Sequence, residues 1–262
     1  MQENTLPENS QPAPQSQRAG VPIPVSQPVV TYILLAVNVL VFVGQMILWQ
    51  TSDYGNPLVD YGIFSFRALL HGEYYRLFTA MFLHADIAHI ALNGYALYIF
   101  GQTVERFFGH VRFALIYFLG GLFGMILEFV FRSGFVLGAS GAIFAIFGAE
   151  IVFFYRNREL FGESAQRNLR GLGLMALINF AFGLYTQIGP SPIRIGLAAH
   201  VGGFIVGLAL GWFMTPRYRV ESAPTGFRVM DQVSTNEIWI ASAATLVVSV
   251  IVFIVTLTIY RT

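Results

Sequence analysis

The sequence contains no cysteine, no lysine and few charged residues of any kind. The absence of cysteine excludes disulfide bonds, thiolate metal sites and a cysteine nucleophile, although it does not identify the redox compartment. Only 11% of the 262 residues are charged and 55% are hydrophobic, which is typical of a multi-pass membrane protein rather than a soluble domain. The formal net charge of +1 offers no basic surface, so we predict no nucleic-acid partner.

The hydropathy pattern divides the chain into a polar tail, six apolar spans and one additional span. Residues 1–28 are rich in Gln, Pro, Ser, Asn and Glu, and such a segment cannot bury enough apolar surface to order itself. We interpret it as a disordered cytoplasmic tail. The core covers residues 29–214, a polar linker covers 215–237, and a seventh span covers 238–260. The predicted fold class is an all-α polytopic membrane protein, a six-helix bundle plus one C-terminal transmembrane helix.

Spans of roughly 20 apolar residues are long enough to cross a bilayer. The six core spans are predicted at residues 29–49, 87–107, 111–131, 140–155, 169–187 and 193–214. Between the first two, residues 51–85 form a connection that is too polar and irregular for a span. Connections of this length usually carry their own structure, so we expect short helices lying in the outer membrane interface. Asp86 is expected to cap the start of the second span.

The arginine residues predict the orientation of the spans. Nine arginines follow the second, fourth and sixth spans, whereas five lie on the opposite side. By the positive-inside rule, the N-terminus is cytoplasmic and the C-terminus is outside. We expect an integral protein of the bacterial plasma (inner) membrane.

A serine between glycines, in the segment Gly138-Ala139-Ser140-Gly141, opens the fourth span. Glycine permits a sharp turn and a close approach of another backbone. The start of a helix also leaves unpaired N–H groups, which can bind an oxyanion. The alternative is that these small residues only let two membrane helices pack closely.

His200 lies at the outer end of a glycine face on the sixth span, where glycine recurs at Gly203, Gly207 and Gly211. The fourth span offers a matching face of Gly141, Ala145 and Gly148. Docking of these faces would bring His200, about 10 Å below the top of its span, against Ser140. A hydroxyl and an imidazole in contact suggest a nucleophile and its general base. The alternative for His200 is a packed histidine bonded to a carbonyl.

No carboxylate is obviously placed to orient His200. We therefore predict a dyad, in which packing on the ring of Phe144 orients the imidazole. Glu128 and Glu150 are each interpreted as a buried, protonated acid or as the partner of an arginine.

His89 and Asn93 are four residues apart, so they project from one face of the second span. Together with the N–H of Ser140 they could donate hydrogen bonds to an oxyanion. The alternative is an interhelical hydrogen bond. His84 is expected to line a water entry path or to brace the loop. The sequence contains no credible zinc motif, and we predict no metal and no cofactor.

These residues resemble the rhomboid family of intramembrane serine proteases. The resemblance covers about residues 29–214, and three motifs carry it: Gly138–Phe144, His84–Asn93 and Ala199–Gly207. It implies a six-helix core with a water-filled cavity open to the outside and a fifth span that acts as a lateral gate. Substrates would be single transmembrane helices in the bilayer, cut near the outer membrane surface after a small residue.

The resemblance implies a role for each matching residue. Ser140 would be the nucleophile and His200 the general base. His89, Asn93 and the backbone of Ser140 would form the oxyanion hole. The residues that would support this site are Gly138, Gly141, Phe144, Gly203, Gly207 and His84.

The sequence departs from the family pattern in two loops. Tyr75-Arg76 stands where the family often has Trp-Arg, and the loop before His200 lacks the common Asp or Asn and Trp. The seventh span resembles the forms with six core helices and one addition. Two other functions stay open: a catalytically silent rhomboid-like protein that binds and escorts membrane helices, and a transporter or channel. A transporter would predict repeated halves, and none is evident.

Overall fold

A computed structural model describes residues 23–52, 55–188, 196–223 and 226–262 of the chain. Most of the predicted N-terminal tail, residues 1–22, lies outside the described residues. The elements in chain order are α1 (Val29–Thr51), α2 (Pro57–Gly62), β1 (Phe64–Ser65), α3 (Phe66–Leu70), α4 (Arg76–Thr79), α5 (Ile87–Ala96), α6 (Gln102–Phe108), α7 (His110–Val130), β2 (Phe135–Val136), α8 (Ser140–Arg156), α9 (Arg158–Phe161), α10 (Glu163–Ile188), α11 (Leu197–Met214), β3 (Tyr218–Ala223), β4 (Gly226–Asp231) and α12 (Thr235–Arg261).

The long helices confirm an all-α polytopic membrane protein. Within the described ranges, five helices are long and apolar enough to cross a membrane, namely α1, α7, α10, α11 and α12. Helix α8 has 17 residues, and α5 and α6 form one continuous helical run through a π-helical turn at Leu97–Gly101. The number of spans, seven, stays a prediction.

Helix α8 is the central element of the bundle. It is apolar nearly all round, and almost every side chain after Ser140 is buried, as expected of a helix enclosed by others. Its neighbour α11 packs against it through glycine, as the sequence predicts. A Cβ atom on Gly203 would overlap the carbonyl oxygen of Gly141, and one on Gly207 would overlap that of Ala145. The two backbones can approach this closely only because these positions lack side chains.

The connection between α1 and α5 contains the short helices α2, α3 and α4. Arg76 is buried and donates hydrogen bonds to the carbonyl oxygens of Asp60 and Ile63, at 2.8 and 2.9 Å. Its guanidinium also hydrogen-bonds the half-buried Glu73 carboxylate and thereby lowers the pKa of that group. This arginine therefore holds the connection in one shape.

The C-terminal end of α12 packs against this connection. Arg261 donates to the carbonyl oxygen of Leu70 at 2.7 Å and to the hydroxyl of Tyr74 at 3.0 Å. The hydroxyl of Tyr260 donates to the carbonyl oxygen of Val130 at 2.7 Å. The additional helix is thus bonded to both α7 and the first connection.

Residues 215–237 are not only a polar linker, because they contain an antiparallel hairpin of β3 and β4. Val220 pairs with Val229 and Glu221 with Arg228, so apolar and charged pairs alternate between its faces. Asp231 at its base forms an ion pair with Arg112 of α7 at 2.6 Å. Between Pro216 and Pro224, polar and apolar side chains alternate from one residue to the next up to Glu221. This alternation is the sequence signal for a strand that the linker prediction overlooked.

Candidate active site

Ser140 is the first residue of α8, as the sequence predicts, and it is half-buried. The backbone enters this helix through Gly138, which has a φ of +123°, a left-handed conformation that favours glycine. The N–H of Gly138 donates to the carbonyl oxygen of Ala80 at 2.9 Å. The turn before the serine is therefore held in place by the first connection.

His89 and Asn93 face this turn from α5. A Cβ atom on Gly138 would lie 2.8 Å from His89 Nε2 and 3.4 Å from Asn93 Nδ2, so both side chains point at the same glycine. Asp86 caps α5 as predicted, accepting from the N–H of His89 at 2.8 Å.

Both side chains offer N–H donors beside Gly138, two residues before Ser140. The Nδ1 atom of His89 accepts a long hydrogen bond, 3.5 Å, from the N–H of Ala85. The neutral ring then carries its proton on Nε2, the atom next to Gly138. Asn93 Nδ2 is buried and has no hydrogen-bond partner among the residues described. Two N–H donors, for which the described residues offer no acceptor, thus converge on the backbone of the turn before Ser140.

His200 is buried in the first turn of α11 and stacks on Phe144 of α8. The ring centroids are 4.2 Å apart and the ring planes differ by 18°, which confirms the predicted packing. The predicted start of this helix, near Ile193, was wrong, because α11 begins at Leu197. His200 therefore lies about 5 Å, not 10 Å, below the start of its helix.

The residues next to the serine and the histidine are in contact. A Cβ atom on Gly141 would lie 3.3 Å from the carbonyl oxygen of Ala199. In the described part of the chain, the Ser140 hydroxyl makes no hydrogen bond and His200 Nδ1 has no partner. Catalytic hydrogen bonds are often long without substrate and shorten in the complex. The serine–histidine bond itself stays a prediction.

His84 lies behind His89. The side-chain amide of Gln45 donates to the His84 carbonyl at 2.9 Å and accepts from its N–H at 3.1 Å. The His84 ring packs edge-on against His89, with centroids 5.2 Å apart. It also lines a cavity of about 30 Å³ together with Asn38 and Asn93, which is enough room for a water molecule. The contacts with Gln45 and His89 fit the expected role of His84 as a brace for the loop, and its role in a water entry path stays a prediction.

Two residues at this site have partners that the sequence does not indicate. Gln45 of α1 acts through the backbone of His84, 39 residues away. Glu128 of α7 accepts a hydrogen bond from the N–H of Ala199 at 2.7 Å, beside His200. Contacts this distant in sequence leave no periodicity to detect. No group of three or more potential metal ligands occurs among the residues with described positions.

The bundle and its enclosed polar residues define a multi-pass helical membrane protein with a site built between helices. A family model described as the Rhomboid domain matches residues 71–217, more than half of the chain. The chain therefore belongs to the rhomboid family.

Two Bacillus subtilis proteins and a plant protein are among its relatives. Rhomboid protease GluP of B. subtilis is 35% identical over 185 residues, which are 71% of this chain and 35% of that protein. RHOMBOID-like protein 9, chloroplastic, of Arabidopsis thaliana is 36% identical over 155 residues, 59% of this chain and 34% of that protein. A second B. subtilis protein, the candidate rhomboid protease YdcA, is 30% identical over 192 residues, 71% of this chain and 87% of that one. The chain thus spans only about a third of the length of the first two.

Proposed function

We propose that this protein is an intramembrane serine endopeptidase that cleaves transmembrane-helix substrates through a dyad of Ser140 and His200. The observation that carries the proposal is the geometry around Gly138. It joins a serine at a helix start to the N–H groups of His89 and Asn93 on a second helix. A third helix carries His200 against Phe144, one turn along α8 from the serine.

In the proposed reaction, His200 takes the proton of the Ser140 hydroxyl while the oxygen attacks the carbonyl carbon of the scissile peptide bond. The carbonyl oxygen becomes an oxyanion and accepts hydrogen bonds from His89, Asn93 and the N–H of Ser140. His200 then gives its proton to the leaving amine as the C–N bond breaks. Water, deprotonated by the same imidazole, hydrolyses the acyl-enzyme and restores the serine.

The proposed entry side for the substrate is α10. This helix exposes most of its side chains and is less enclosed than α7 or α11. Phe180 of α10 packs on Phe144 with centroids 5.4 Å apart, and Phe144 is the ring that supports His200. Outward movement of α10 would therefore uncover the site. The cytoplasmic N-terminus, the bacterial inner membrane and cleavage near the outer surface belong to the same proposal.

The proposal is tested with purified protein in detergent, a fluorophosphonate probe and a model substrate that has one transmembrane helix. We expect cleavage of the substrate and a covalent adduct that mass spectrometry locates on Ser140. Binding of the helix with neither cleavage nor adduct, in folded protein, would instead identify a silent rhomboid-like protein that escorts membrane helices.

The oxyanion role of Asn93 gives a separate prediction. Asn93→Ala is expected to lower kcat by about 10²-fold with little change in KM, because one donor to the transition state is removed. The measurement is the initial rate of substrate cleavage over a range of substrate concentrations. Asn157→Ala is the matched control, because that amide bonds Phe153 at the opposite end of α8. An unchanged kcat in Asn93→Ala would refute the assignment.

A further inference from the structure

Glu128 is a buried acid that the proposed reaction does not use. It lies near the end of α7, and only 2% of its surface is exposed. One carboxylate oxygen accepts the N–H of Ala199 at 2.7 Å, and the other accepts the hydroxyl of Ser133. Among the described residues, its hydrogen-bond partners are backbone and hydroxyl groups. Its interpretation as the partner of an arginine stays a prediction.

The carboxylate acts as a cap for the helix that carries His200. Helix α11 starts after Gly196, which has no side chain to accept one of the free N–H groups. Such a group is usually bonded by a Ser, Thr, Asp or Asn in the same chain segment. Here Glu128 supplies the acceptor from a different helix.

The same arrangement occurs at the start of α1. Pro28, the residue before this helix, makes no side-chain hydrogen bond to cap it. Instead the buried Glu105 of α6 accepts the N–H groups of Val30 and Thr31 at 2.8 and 2.7 Å. In both α1 and α11, a carboxyl group from a neighbouring helix thus accepts hydrogen bonds from the free N–H groups of the first turn.

Glycine makes room for the Glu128 contact. A Cβ atom on Gly196 would lie 2.9 Å from the Glu128 carboxylate, and one on Gly124 would lie 2.7 Å from the carbonyl oxygen of Ala199. The backbone of α11 is therefore held against α7 immediately before His200. We therefore expect a change in the carboxylate contact to displace Ala199 and, with it, the adjacent His200.

The second carboxylate oxygen of Glu128 bonds the chain segment that leads to Ser140. The donor of this hydrogen bond is Ser133, which begins the segment that runs through β2 and Gly138 to Ser140. The N–H of Ser133 also donates to the Glu128 carbonyl at 3.0 Å. A single residue is thus bonded both to the helix of the histidine and to the segment of the serine.

We propose that Glu128 is the positioning residue that sets His200 relative to Ser140, an inference that rests on the proposed function. Glu128 does not meet the substrate. It acts through Ala199 and Ser133, and it supplies the orientation that no residue beside His200 in the sequence provides. A displacement of about 1 Å between reacting groups costs on the order of 10²-fold in rate, so loss of this contact should appear in the chemical step.

The test compares Glu128→Leu and Glu128→Gln with the control Glu150→Leu. Glutamine keeps an oxygen that can accept from Ala199, whereas leucine removes both acceptors. Glu150 is also a buried acid, in α8 ten residues beyond Ser140, and its Oε2 has no hydrogen-bond partner among the described residues. Three quantities are measured below the melting temperature of every variant: kcat, KM, and the rate at which a fluorophosphonate labels Ser140.

Glu128→Leu is expected to lower both kcat and the labelling rate by about 10- to 100-fold, with KM nearly unchanged. Glu128→Gln should recover the wild-type rates to within about threefold, because the bond to Ala199 is kept. Glu150→Leu should match the wild type. Wild-type rates in folded Glu128→Leu, or equal losses in Glu128→Gln and Glu128→Leu, would overturn the proposal.

If Glu128→Leu does not fold, Glu128→Asp replaces it. Its shorter side chain withdraws from Ala199, so it should be about tenfold slower than Glu128→Gln. Equal rates for the two would overturn the proposal. If the wild-type protein shows no cleavage and no adduct on Ser140, the proposed function itself is refuted. That result is distinguishable from failure of the Glu128 proposal, because the rate of each variant is compared with the rate of the wild type.

Discussion

Replacing Ser140 with alanine is expected to abolish cleavage of a transmembrane substrate, with kcat falling by about 10³-fold or more. The physical reason is the loss of the proposed nucleophilic oxygen, because the turn that His89 and Asn93 face, Gly138-Ala139-Ser140-Gly141, contains no other hydroxyl. His200→Ala should cause a loss of similar size, because a serine hydroxyl is barely ionised without a base.

The two losses should not add. A nucleophile and its base act as a unit, so the double variant is expected to be no slower than either single variant. Cleavage is followed with a fluorescent substrate in detergent and in liposomes. The control is Ser242→Ala, a buried serine of α12 whose hydroxyl bonds the carbonyl oxygen of Ile238. Cleavage by Ser140→Ala at the rate of this control would end the protease assignment.

Replacing Gly207 with valine is expected to separate α8 from α11 and to destabilise the fold by about 3 kcal/mol or more. A Cβ atom at this position would overlap the carbonyl oxygen of Ala145. Backbone cannot rotate away as a flexible side chain can, so the helices must move apart. The measurement is the melting temperature in detergent, together with the rate at which a probe labels Ser140.

Activity should be lost along with stability in Gly207→Val, because this contact lies two turns from His200 on the same helix. Gly173→Ala is the matched control. It lies in α10, where an added Cβ would meet nothing within 4 Å, and alanine in a helix is about 0.5–1 kcal/mol more favourable than glycine. A Gly207→Val protein as stable as Gly173→Ala would refute the close packing of the two helices.

Much of the site's local architecture could be predicted because it follows from short-range patterns. The start of a helix at Ser140 follows from small residues before an apolar run. The cap at Asp86 and the common face of His89 and Asn93 follow from helix geometry. The packing of Gly203 and Gly207 on α8 follows from glycine repeated every four residues. Each of these signals lies within about two turns of helix.

Other features were decided only by the tertiary structure. The residue that Glu128 caps is 71 positions away, and the two residues that Arg261 bonds are 191 and 187 positions away. The start of α11 at Leu197 places His200 in its first turn, where that remote carboxylate can reach the preceding N–H.

The sequence alone therefore determined the membrane class, the helical pattern and the identity of the polar residues, because hydropathy and helix periodicity are local properties. The tertiary structure decided which free N–H groups meet which acceptors. A carboxylate bonds whatever donor the packing of the bundle brings to it, and that pairing has no period along the chain.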